Sequence, residues 1–217
     1  MKMKLLGLVL AGLMVIAGSA QAALLSLTPG GTANAIPGSF YTGAFPAIPG
    51  IVTGTPIQEF GAGDVGGLSL AGPATLKFEF LGKDAGFTNT FSVTGTGTLF
   101  STASAAVGDA ANVAFGSSGL IPFFFSTSGG GTPATANNGG PITSPLSIAF
   151  ADLGGDTFLA LFNDGGGRPT DDKDFNDMIV RVSVSAVPLP AAAWLLVSAV
   201  LGLVSFSRIR RKGPQTA

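Results

Sequence analysis

The chain has 217 residues with no cysteine and no histidine, and its 11 basic and 12 acidic residues leave it close to neutral. Those absences exclude disulfides, thiolate chemistry, the usual Ser-His-Asp triads and the commonest ligands of zinc and copper. With 33 glycines, 17 phenylalanines and no long helical periodicity between its apolar ends, the composition predicts an all-β fold, a Gly-rich β-sandwich or jelly-roll-like domain.

At the N-terminus, Lys2 and Lys4 precede an apolar core of about 13 residues, Leu5 to Ala17, followed by Ala20-Gln21-Ala22. This is the arrangement of a secretory signal peptide, so residues 1–22 read as a signal helix with Ala20 and Ala22 marking cleavage after Ala22. The core is too short to span a bilayer comfortably as a retained helix. Residues 23–186 form the exported β domain, long enough for one core. Here five basic residues stand against twelve acidic ones, a formal charge of −7 that the basic ends of the chain conceal. Such a domain, with no basic stripe, is unsuited to nucleic acid and suited to divalent cations.

From Ala23 to Gly67 the chain mixes Gly, Pro, Thr and Ala with Phe40, Tyr41, Phe45 and Ile51, which fits either short strands or an extended arm. Glycines around Glu59, Phe60 and Asp64 predict a loop there. The first clear strand is Ala74 to Leu81, in which Leu76, Phe78 and Phe80 alternate with Lys77 and Glu79, with Phe78 and Phe80 expected to pack inward. A polar turn from Gly82 leads into a strand beginning at Phe91. Leu99-Phe100 and Val113 to Phe115 are further strand cores, and Ile121 to Phe125 is a concentrated apolar cluster. Ser126 to Pro145 carries little apolar payload among its Gly, Ser, Thr, Asn and Pro and predicts an exposed flexible loop. Leu146 to Phe150, Thr157 to Phe162 and Met178 to Ser185 resume strand character.

The chemically suggestive stretch lies just before that last strand. Asp164, Asp171, Asp172, Asp174, Asn176 and Asp177 put six side-chain oxygen donors into a 14-residue window. Such crowding is unfavourable unless solvent, Arg168 and Lys173, or a cation offsets it. Calcium is the natural ion, because it accepts six to eight hard oxygens in flexible geometry. An EF-hand is excluded: counted from Asp172, its glycine position is Asp177 and its bidentate glutamate position is Ser183. The second reading is turn chemistry, in which Asx side chains bond to nearby backbone at a solvated corner. Asp172, Asp174, Asn176 and Asp177, followed by Ile179 and Val180, resemble the Asp-rich segment of DUF4114-type exported domains, a likeness that implies no activity.

The C-terminal thirty residues join Val187, Pro188, Leu189, Pro190 and Ala191 to an apolar run that ends at Phe206, followed by Arg208, Arg210, Arg211 and Lys212. Residues 189–206 would give a helix of about 27 Å, enough to cross a bilayer core, and the basic tail 208–212 keeps that end cytoplasmic. Residues 187–217, in that order of parts, resemble the PEP-CTERM sorting signal in its Val-Pro-Leu-Pro-Ala variant. The turn from Gly82 to Phe91 is similar to segments of the same exported proteins. The resemblance implies export by the secretion machinery, an inner-membrane anchored precursor, and cleavage by exosortase near Pro188 to Ala191. It also implies a final place on the surface or in the extracellular polysaccharide matrix of a Gram-negative bacterium.

The function expected on these grounds is structural or interactive, not enzymatic. Glu59 and Glu79 are the only glutamates, neither sits in a catalytic motif, and Gly165-Gly166-Gly167 lacks the lysine and helix of a phosphate-binding loop. The alternative is a carbohydrate-binding module acting on extracellular polysaccharide. Trp194 falls in the membrane segment and Tyr41 is the only other polar aromatic, so a sugar platform would have to be built from phenylalanine.

Overall fold

A computed structural model describes residues 23–42, 45–128, 134–165 and 173–185. The signal segment 1–22, the sorting segment 187–217 with its membrane span, and Asp171, Asp172 and Arg168 of the acidic stretch lie outside the described residues. Among the described residues the fold is all-β, with every strand pair antiparallel and no helix long and apolar enough to cross a membrane. The strands are β1 Leu25–Leu27, β2 Thr32–Ala35, β3 Pro56–Phe60, β4 Leu68–Leu70, β5 Ala74–Gly82, β6 Asn89–Val93 and β7 Gly97–Ser101. They continue as β8 Ala110–Phe115, β9 Gly119–Leu120, β10 Phe123–Thr127, β11 Ala134–Asn137, β12 Ser147–Gly154, β13 Thr157–Asn163 and β14 Met178–Val184. A seven-stranded sheet runs β2-β3-β12-β13-β14-β5-β8, a four-stranded sheet runs β11-β10-β6-β7, and β1-β4-β9 form a small third sheet.

The alternation expected in β5 is present: Leu76, Phe78 and Phe80 are buried while Lys77 and Glu79 face the other way. Between the large and the four-stranded sheet, rings meet rings. Phe125 stacks on Phe162 with centroids 4.8 Å apart, and Phe78 meets Phe91 at 5.3 Å. Phe123 lies 6.2 Å from Phe150, and Phe80 lies 6.2 Å from Phe100. Each fully buried ring contributes about 1.5–3 kcal/mol from apolar area alone, so this layer dominates the stability of the domain.

The opposite face of the seven-stranded sheet is divided. Ile57, Ala149, Ala151, Leu159, Leu161, Ile179 and Leu81 form an apolar half covered by Ile36, Phe40, Phe45, Ile48 and Ile51. That covering stretch contains a short 3-10 turn, Gly38–Thr42. The other half carries Glu79, which accepts hydrogen bonds from Lys77 at 3.0 Å and, across the β5-β14 pairing, from Arg181 at 3.3 Å. Because β13 is covered on both sides, Phe158 to Phe162 reads as one continuous apolar run and not as an alternation. Gly82 lets the arm settle: a Cβ there would lie 2.4 Å from Phe45 Cβ, and its φ of +150° is one that side-chain-bearing residues rarely adopt.

The stretch from Ala23 to Gly67, which the sequence left open between short strands and an extended arm, holds both: β2 and β3 join the large sheet and residues between them cover its face. Two expectations need correction. Glu59 and Phe60 belong to strand β3 and not to a loop, because Ile57 and Phe60 bury while Pro56 stays exposed. The supposed loop after Ser126 contains β11, whose Ala136 is fully buried and pairs with Phe125.

Polar side chains fasten the small sheet. Asn138 Nδ2 donates to Leu68 O and Ile121 O, and its Oδ1 accepts from Leu68 N, each at 2.8 Å. Asp156, in the β12-β13 turn, accepts from the backbone N–H of Leu24 at 2.6 Å and of Leu25 at 2.9 Å.

Candidate functional site

The described part of the acidic stretch, 164–165 and 173–177, lies at a corner between the end of β13 and the start of β14. Four of its six oxygen-bearing side chains are described, and all are buried: Asp164 5%, Asp174 6%, Asn176 0% and Asp177 8% exposed. Of the two readings the sequence left open, turn chemistry placed these side chains at a solvated corner; the four described are buried. Its backbone turns through Lys173 and Phe175, both with positive φ, 45° and 60°. This alternation lets Phe175 enter the apolar half-face beside Phe40 while Asp174 and Asn176 stay at the turn.

Each described donor group has a structural task. Asp177 Oδ2 accepts from Asp164 N–H at 2.7 Å, tying the exit of β13 to the entry of β14. Asp174 Oδ1 accepts from Asn176 N–H at 3.3 Å, an Asx turn. Asn176 Nδ2 donates to Phe40 O at 3.0 Å and its backbone oxygen accepts from Asp84 N–H at 2.8 Å, so this residue joins the corner to the covering arm and to the β5-β6 connection. Lys173 stands 4.0 Å from Glu59, which also accepts from Asn34 Nδ2 at 3.1 Å.

Two residues outside the acidic window complete the corner. Asn163, fully buried, donates to Ser147 Oγ at 3.5 Å and accepts from Gly165 N–H at 3.3 Å. Asn89, at the start of β6 in the four-stranded sheet, donates from Nδ2 to Asp164 Oδ2 at 2.8 Å and to Asp177 O at 3.3 Å. Its own N–H is held by Thr102 Oγ1 at 2.8 Å. Nothing in the local pattern around Asn89 marks it, since its partners lie 75 and 88 positions away along the chain. The fully buried amide oxygens of Asn89 and Asn176 have no hydrogen-bond partner.

Among the described residues no three acidic side chains gather closely enough to hold a metal by themselves. Beside the corner lies a groove of about 250 Å³ lined by residues that include Glu59, Ser144, Ser147 and Lys173, with no aromatic ring in its wall. Glu59 and Glu79 are each engaged with cationic side chains, one on either half of the sheet's face. No family model, no curated protein and no solved structure matches this chain.

Proposed function

We propose that this chain is an exported protein of the bacterial surface or extracellular matrix, sorted by exosortase, with a structural or interactive role and calcium at its acidic corner. In this reading the all-β domain is a β-sandwich of the jelly-roll kind, without catalytic activity. The observation that carries it is that the described strands, from Leu25 of β1 to Val184 of β14, lie between the expected signal cleavage after Ala22 and Val187 of the sorting motif.

Calcium is supported by the chemistry of the donor set. The corner gathers carboxylates, backbone carbonyls and amide oxygens, the hard ligands this ion selects, and two of its buried amide oxygens lack partners. The carbohydrate-binding reading has the polar groove beside Glu59 in its favour, but the groove lacks the ring on which a sugar face would stack. The sorting reading is tested in a bacterium that carries exosortase. Replacing Pro188 and Pro190 together by alanine should leave full-length protein in the inner membrane, whereas processing at the normal rate would overturn the motif's role.

A further inference from the structure

Asn89 presents a problem of unmet hydrogen bonding. Its side chain is fully buried, both hydrogens of its Nδ2 are engaged, and its Oδ1 meets no donor. Buried acceptors are rarely left this way in native proteins, and the exceptions call for a water or an ion. Turning the amide over offers no remedy, because it would set the oxygen against Asp164 Oδ2 and Asp177 O, which are themselves acceptors. The Nδ2 of the same amide is bonded to the Asp164 carboxylate and to the backbone oxygen of Asp177, which sets this side chain beside two carboxyl-bearing residues of the corner, and a cation is the occupant that such hard oxygens favour.

We propose that Asn89 is a calcium ligand, its Oδ1 joining the carboxylates of Asp164 and Asp177 in an oxygen shell completed by water. This rests on the calcium reading above and adds to it a ligand from a different sheet. Asp164 and Asp177 flank β13 and β14 of the seven-stranded sheet, while Asn89 opens β6 of the four-stranded one. The ion is then a clamp between the two layers, and its loss loosens their contact at this end. A domain exported to an ion-rich exterior would thus complete its folding only after leaving the cell, since calcium stabilises whichever state binds it.

The test uses the full-length chain in detergent, freed of metal by chelator and titrated calorimetrically with calcium chloride, with melting followed in parallel. The wild type should bind calcium and melt several degrees higher with it. Asn89→Ala should weaken calcium binding at least tenfold. Asn89→Asp keeps an oxygen at the site but loses the donation to Asp164, so it should melt lower than wild type without calcium and be restored by it, with affinity equal or higher. Thr102→Val, which removes the support of the Asn89 N–H and a long hydrogen bond to Phe87 O but no oxygen of the proposed shell, should lower the melting temperature and leave affinity unchanged. Should Asn89→Ala fail to fold, Asn89→Asp decides: loss of its calcium binding overturns the proposal. Calcium binding by wild type that Asn89→Ala leaves unaltered overturns the assignment of Asn89 alone and keeps the ion on other residues of the corner. Absence of any calcium heat, with an unshifted melt, overturns both this assignment and the calcium reading beneath it.

Discussion

Between the two main sheets the domain is held by phenylalanine rings; at the corner beside them it is held by amides and carboxylates. The two regions are adjacent in space, since β6 supplies Phe91 to the first and Asn89 to the second, two residues apart. They differ in what they demand. Ring packing is non-directional and depends on filled volume, so it is strong but tolerant of the exact ring geometry, which here ranges from 3° to 89° between planes. The corner depends on donors and acceptors at fixed angles, where one missing partner leaves a buried group exposed to the full cost of desolvation. The layer therefore supplies most of the stability, and the corner decides how the strands exit and how the covering arm is seated.

The largest effect should come from emptying the ring layer. Phe91 is fully buried against Phe78, Phe100, Phe123 and Phe125, so Phe91→Ala should cost about 3–5 kcal/mol in urea unfolding, whatever the calcium concentration. If the loss were below about 1 kcal/mol, the rings would not be the main source of stability. A smaller effect is expected at the corner. Asn176→Leu removes the donor to Phe40 O and should cost about 1–3 kcal/mol, with faster hydrogen exchange in residues 36–51 and little change in the ring layer. Uniform loss of protection throughout the domain would contradict the division drawn between the two regions. The smallest effect belongs to the charged half-face. Arg181→Ala breaks a part-exposed pair with Glu79 and should change stability by less than about 1 kcal/mol, with the difference shrinking further in high salt.

The same contrast explains what could be read from sequence. Rings in alternation announce themselves, so β5 and the strands around Phe123, Phe158 and Ile179 were legible from residue pattern alone. Small residues do not: β11 reads Ala-Thr-Ala-Asn and its single buried methyl at Ala136 leaves no periodic signal. Glu59 was hidden because glycines follow its strand closely, and turn composition outweighed the five residues of β3. At the corner, the crowding of aspartates within one window was visible, but their burial was not, because it depends on an arm more than a hundred positions earlier reaching Asn176. Asn89 was the least legible of all, since an isolated asparagine at a strand start is ordinary and its significance comes only from meeting Asp164 and Asp177 across the sheets.

The central claim is that this β domain is released between two targeting ends, and intact-mass measurement of the protein recovered outside the cell tests it most directly. The expected species begins at Ala23 and ends between Pro188 and Ala191. Recovery of the intact 217-residue chain from the cytosol, free of membrane, would contradict it.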